Sequence, residues 1–357
     1  MSTKSSRRTS PRSLDRLRTL ADNPRLGQYV QRLLVTSEDM IYGKGIIWNR
    51  HVDGYLVDPL HQDRVQQLQR ILRSCVNCTS FHIDDNMMLE DKYEDRSLTR
   101  SDVLTILLNI IADTGLPTTS FLVDLKEDGG CGGCGIEPRR LTNLPYLHGR
   151  NFVAAWSHIR ELMLDYKMES RVAVDMGVAF IQHAPNLQKL SMSFDSGEEA
   201  TLFLRRVMHM NVLQPPTQLR EVILSSAYVS GDDLAAFLCR VGHSLRSVLF
   251  RSVRLTLGSR ALWKEILETL RDRCPCLETV DLFLNWIKPR ALVHFPLIAE
   301  NPVVGAGPEA REFQFRRRYW CGPDRVVAAR YSGPRMDVAL QRLIDSIDYV
   351  RSRNVYA

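Results

Sequence analysis

The apolar residues of this chain follow two alternating periods. Eight short segments repeat one pattern, with apolar or small residues at offsets 0, 3 and 5. In chain order they are Val30-Gln-Arg-Leu33-Leu-Val35, Cys78-Thr-Ser-Phe81-His-Ile83, Thr118-Thr-Ser-Phe121-Leu-Val123 and Ile159-Arg-Glu-Leu162-Met-Leu164. Leu187-Gln-Lys-Leu190-Ser-Met192, Leu219-Arg-Glu-Val222-Ile-Leu224, Leu245-Arg-Ser-Val248-Leu-Phe250 and Leu277-Glu-Thr-Val280-Asp-Leu282 complete the set. Successive anchors lie 26 to 48 residues apart. Side chains two apart share one face of a strand, so offsets 3 and 5 describe short strands with two large residues turned inward.

Between these segments the period becomes helical. Val65, Leu68, Ile71 and Leu72 form one stripe, and Val103, Leu104, Leu107, Leu108 and Ile111 form the clearest. Met176, Ala179 and Phe180 follow, then Phe203, Leu204, Val207 and Met208. Leu234, Phe237, Leu238 and Val241 repeat the spacing, as do Leu262, Ile266, Leu267 and Leu270. Pro185, Gly242 and Pro275 fall where each later helix should stop and the chain turn back.

Strand, turn, helix and turn at near-constant spacing predict a parallel sheet with helices on one side. Alternate strand positions are polar: Arg160, Glu161 and Asp165; Lys189, Ser191 and Ser193; Glu221 and Ser225. A doubly wound sheet would make those positions apolar, so one sheet face is expected to be wet. The expected fold is a curved single-layer α/β solenoid.

On these segments the chain resembles the leucine-rich-repeat family, in its long-repeat form with helices on the convex face, over roughly residues 25–290. The last repeat, Leu277, Val280, Leu282 and Asn285, carries the asparagine that in this family hydrogen-bonds the turn backbone. Asn23-Pro-Arg-Leu26-Gly-Gln-Tyr29-Val-Gln-Arg-Leu33 is similar to the segment joining F-box to repeats in fungal F-box proteins. The resemblance implies the substrate-recognition part of a ubiquitin ligase subunit. Residues 1–22 hold no Leu-Pro-initiated F-box helices, so the chain as given is not expected to bind the cullin-ligase adaptor by itself.

The last segment differs in pattern. Phe313–Trp320 and Arg325–Tyr331 flank Cys321-Gly322-Pro323-Asp324, a hairpin signal. Val338, Leu340, Leu343, Ile344, Ile347 and Val350 then predict an amphipathic helix from Met336 to about Arg353. Together they should cap the open end that a solenoid otherwise exposes. The expected division is a disordered basic Ser/Arg-rich tail over 1–24, the repeat solenoid over 25–290, and a C-terminal loop, hairpin and capping helix over 291–357.

Composition narrows the classes without choosing a ligand. Hydrophobic residues are 44% and charged residues 25% of 357, which is ordinary globular usage. No apolar run approaches a membrane span, and the N-terminal residues lack the apolar stretch of a secretory signal, so a cytoplasmic or nuclear protein without membrane contact is expected. The net charge of +6 concentrates in residues 1–25 and 311–335, which leaves the rest mildly acidic. The basic run Phe313–Trp320 offers a nucleic-acid alternative, although strand alternation alone would bury its aromatics and solvate its arginines.

Candidate chemistry is sparse. Cys75/Cys78 and Cys131/Cys134 are CxxC pairs, but 53 residues separate them, outside zinc-ribbon spacing, and Cys78 sits on a strand anchor. Gly130-Cys-Gly132-Gly-Cys-Gly135 matches a dinucleotide fingerprint in letters only, since Pro138 and Pro145 follow where a helix should start. No cofactor, metal or catalytic residue is expected, and no enzyme. The expected role is protein–protein interaction through the wet sheet face, with an enzyme of unrecognised type or a nucleic-acid scaffold as alternatives. Its partner-binding residues would be Arg32, His82, Asp84, Glu161, Met163, Asp165, Lys189, Glu221, Ile223, Leu249, Arg251, Asp281 and Phe283.

Overall fold

The computed structural model describes residues 11–36, 46–84, 98–125, 136, 145–166, 168, 170–194, 197–210, 218–256, 262–287, 291–318 and 325–351. Among them are eleven α-helices and a mostly parallel set of ten paired strands, not closed into a barrel. Contacts divide the chain into two compact units, residues 1–167 with 183–186, and residues 168–182 with 187–357.

In the first unit, β1 (Arg32–Thr36), β2 (Ser80–Asp84), β3 (Ser120–Asp124) and β4 (Glu161–Asp165) pair in parallel. The register is unbroken, with Leu33, Phe81, Phe121 and Leu162 in one rung and Val35, Ile83, Val123 and Leu164 in another. All eight are buried, so the period-two pattern does select the closed face. Helices α1 (Pro11–Ala21), α2 (Pro24–Gly27), α3 (Asp63–Ser74), α4 (Arg100–Thr114) and α5 (Arg150–Trp156) belong to the same unit.

Two features of this unit depart from the sequence expectation. Residues 11–21 form a helix where the Arg and Ser content suggests a disordered tail. Leu14 and Ala21, seven apart on one helix face, are buried, and that face outweighs the charge around it. Between β1 and α3, residues 46–58 carry a small irregular hairpin bridged at Arg50 and Leu56. Arg50 is buried there and its Nη2 donates to Asp102 Oδ2 at 2.8 Å. Asp102 also closes a capping box with Thr99 at the start of α4, so one carboxylate serves the helix end and the hairpin together.

The second unit is more regular. Its strands β5 (Lys189–Ser193), β6 (Glu221–Ser225), β8 (Ser247–Arg251) and β10 (Thr279–Phe283) pair in parallel. They alternate with helices α6 (Arg171–Gln182), α7 (Glu199–His209), α8 (Gly231–Val241) and α9 (Trp263–Arg273). β6, β8 and β10 are each followed by a residue with positive φ: Ser226 at 50°, Ser252 at 54° and Leu284 at 52°. That left-handed step turns the chain into the two-residue strands β7 (Tyr228–Val229), β9 (Arg254–Leu255) and β11 (Trp286–Ile287), which form a second parallel ladder. Asn285 lies buried at the last turn. Its Oδ1 accepts from Val253 N at 3.0 Å and its Nδ2 donates to Phe250 O at 3.2 Å, tying one turn to the one before.

Gly242 ends α8 in ordinary right-handed conformation, φ −59°. It therefore does not act by left-handed freedom. A Cβ there would lie 2.4 Å from Arg273 O, so the residue is needed for the close approach of the ends of α8 and α9.

Past β10 the chain adds β12 (Ala291–His294), α10 (Pro296–Glu300), β13 (Val303–Val304), β14 (Arg311–Glu312), β15 (Gln314–Arg318) and β16 (Arg325–Ser332). β16 runs antiparallel to both β10 and β15, so a hairpin covers the edge of the last parallel strand. Helix α11 (Met336–Ser346) buries Leu340, Leu343 and Ile344. It is shorter than the sequence expectation. Ile347 leaves helical geometry, and β17 (Asp348–Arg351) pairs antiparallel with β12 instead.

Candidate functional site

The second face of the strands is the site the sequence points to, and the register arranges it in rows. In the first unit one row is Arg32, Ser80, Ser120 and Glu161, the next is Leu34, His82, Leu122 and Met163, and the third is Thr36, Asp84, Asp124 and Asp165. The first row is joined by hydrogen bonds: Arg32 Nε donates to Ser80 Oγ at 3.3 Å and Ser120 Oγ donates to Glu161 Oε2 at 3.1 Å. The middle row is apolar except for His82. The third row sets three carboxyl groups on successive strands about 4.8 Å apart, where like charges repel.

His82 stands between these rows, half-buried. Burial lowers its pKa, with Asp84, Asp124 and Glu161 working in the opposite sense and Arg32 reinforcing the burial effect. Its Nε2 is buried without a hydrogen-bond partner. The ring is therefore neutral at neutral pH.

In the second unit the corresponding rows are Lys189, Glu221, Ser247, Thr279 and Ser332; Ser191, Ile223, Leu249, Asp281 and Arg330; and Ser193, Ser225, Arg251, Phe283 and Ala328. Charges here pair with each other. Lys189 Nζ lies 3.5 Å from Glu221 Oε1, and Arg251 Nη2 lies 3.8 Å from Asp281 Oδ2. Thr279 and Ser332 hydroxyls share a hydrogen bond of 2.8 Å. Such cross-strand pairs set the register more than they add stability.

All the residues expected on this face do fall on it, yet they are not equally available. Met163, Ile223, Leu249 and Phe283 are half-buried and Arg32 and Arg251 are exposed, whereas Asp165 is only 1% exposed. Asp165 thus corrects the expectation of an accessible contact residue: it ends its strand inside the protein surface. Leu34, Leu122, Asp124 and Arg330 of this face are not among the expected residues. Leu34 and Leu122 are apolar where the alternation calls for polar side chains, Asp124 follows Leu122, and Arg330 arrives by an antiparallel strand with no repeat signature.

The remaining candidates resolve toward structure. Cys75 and Cys78 are buried, and burial raises the Cys78 thiol to about 12, so neither behaves as a reactive thiolate. Cys131, Cys134 and the Gly130–Gly135 segment lie outside the described residues. Phe313 is buried against Tyr331, ring centroids 5.1 Å apart, so the basic–aromatic run alternates inward at its start. Among the described residues no group of three or more His, Cys, Asp or Glu is placed to hold a metal ion, and no helix is long and apolar enough to cross a membrane.

Set against protein-family models and against curated proteins, the chain matches none.

Proposed function

We propose that this chain is a non-catalytic protein-binding module, built as a leucine-rich-repeat-like solenoid whose open strand face receives the partner. The helices occupy the convex side in this reading. Support comes from the repeated left-handed turns after β6, β8 and β10 and from the Asn285 bridge between turns. By the same resemblance, the chain serves as the substrate-recognition part of an F-box-type ubiquitin ligase subunit whose adaptor-binding segment is not within these residues.

One observation carries the binding role. The parallel strands close one face with large apolar residues, and the other face carries Leu34, Leu122 and Met163 in the first unit and Ile223 and Leu249 in the second, set between polar rows. Half-buried apolar side chains on that face, Leu34 and Met163 in the first unit and, separately, Ile223 and Leu249 in the second, are what an interface core needs, and the polar rows beside them make the rim. In the first unit the rim is acidic through Asp84 and Asp124, which selects a partner segment bearing Lys or Arg.

The test is affinity purification of the chain beside two variants, Met163→Lys with Leu34→Lys, and Asp84→Asn with Asp124→Asn. Proteins retained by the parent should be lost from the first variant and reduced in the second, with melting temperatures unchanged. Equal retention by all three would refute the open face as the binding surface. Stoichiometric cullin-ligase adaptor in the parent sample would refute the missing-adaptor reading.

A further inference from the structure

We propose that His148 and His183 form a two-imidazole site for a divalent metal ion of the zinc, nickel or copper class. His148 Nδ1 and His183 Nε2 lie 3.2 Å apart. Metal–imidazole bonds are about 2.0–2.1 Å, so two ligands at a near-tetrahedral angle stand about 3.3 Å from each other. The pair already has that spacing. The same separation accommodates a hydrogen bond with one ring as donor, and a metal ion would displace that single proton.

The site is built rather than accidental. Both rings are hung on α5. His148 lies one residue before Gly149, the N-cap of the helix. His183 packs edge-on against Phe152 in the middle of the helix, 6.3 Å between centroids at 86°. Phe152 in turn stacks on Trp156 at 4.8 Å and is itself buried. Beyond the helix, Asn186 Nδ2 donates to Ser157 O at 2.8 Å and anchors the turn that follows His183. Two segments 35 residues apart in sequence are thus fixed to the two ends and the centre of one short helix.

Chemistry agrees with this geometry. His183 is half-buried, and each neutral imidazole presents one ring nitrogen as a lone-pair donor. His148 is exposed, which gives an ion a path from solvent. No third His, Cys, Asp or Glu among the described residues joins the pair, so water fills the other coordination positions. Imidazole favours copper, nickel and zinc over magnesium or calcium, which sets the ligand class.

Nickel chloride titrated calorimetrically into the full chain tests this, in a Cys131→Ser/Cys134→Ser background that removes a competing CxxC pair. One saturable equivalent is expected, weakened roughly tenfold or more in His148→Gln and in His183→Gln and unchanged in His158→Gln. Nickel should also raise the melting temperature of the parent and not of the first two variants. If His183→Gln melts lower without metal, His148→Gln alone decides, because its ring is exposed. A saturable phase that survives His148→Gln, or no saturable phase at all, overturns the site.

Discussion

The two units solve the same problem by different means. In the second, each turn is bonded to its neighbour: Ser226 N donates to Arg251 O at 2.8 Å, Ser252 N to Phe283 O at 2.7 Å, and Asn285 bridges two turns at once. Arg254 completes the ladder, its guanidinium 5.1 Å from the Tyr228 ring centroid and 5.6 Å from that of Trp286. In the first unit the anchors are 40 to 48 residues apart, and extra chain must be fastened somewhere. The fastening is a buried ion pair, Arg50 with Asp102. Both units share the parallel backbone ladder, but the longer spacing of the first adds chain that is fastened by buried charge, where the second adds a second ladder of turns.

The sharpest way to break this contrast is Asp102→Ala. Both partners are at least 96% buried, so the variant strands the Arg50 guanidinium and removes the α4 cap. A loss of about 3–5 kcal/mol is expected in urea unfolding. Asp102→Asn keeps an acceptor for Thr99 N and should lose less. Equal, small losses in both variants would mean that the hairpin is held by something other than charge.

Leu224→Ala probes the other unit, where packing dominates. Leu224 is 1% exposed and shares a rung with Met192 and Phe250. Truncation should cost about 2–5 kcal/mol, and a thermal shift within noise would mean that the closed face is misassigned.

Asn285→Ala comes next in size. It leaves the Val253 N–H and the Phe250 carbonyl buried without the amide that joins them, for a loss of about 1–3 kcal/mol. Asn285→Asp keeps only the acceptor to Val253 and should fall between. If Asn285→Ala is neutral, the turn ladder is not what regularises the second unit.

Asn285 also marks how far the sequence could be read. The eight strand anchors, the helical stripes and this asparagine were legible because each is a local period or a single residue at a fixed offset. The strands β7, β9 and β11 were not, since two residues carry no periodicity. The Asp84, Asp124 and Asp165 row was not either. It exists only through a register between strands some 40 residues apart, and Asp124 follows an apolar Leu122 that hides the alternation. Helix α1 was masked by its charge, and β17 by apolar spacing that continues the α11 stripe into Val350 while the backbone has already become extended. The His148–His183 pair joins a turn to a helix end, a juxtaposition that no motif records.

The smallest expected effect tests the turns themselves. Ser226 follows β6 at φ 50° and is exposed, so its side chain contributes little packing. A left-handed L-residue costs roughly 1–2 kcal/mol, and glycine removes that cost while adding about 0.5–1 kcal/mol of chain entropy to the unfolded state. Ser226→Gly should therefore stabilise by about 0.5–1 kcal/mol, whereas Ser226→Val, branched at Cβ, should destabilise by about 1 kcal/mol or more. The glycine exchange at Leu284 should go the other way, because Leu284 packs against the buried cluster of Trp286, Leu292 and Val327. Urea midpoints of the three variants give the comparison directly. A Ser226→Gly variant less stable than the parent would show that the left-handed step is not strained, and that the second unit's turns owe their shape to their bonds alone.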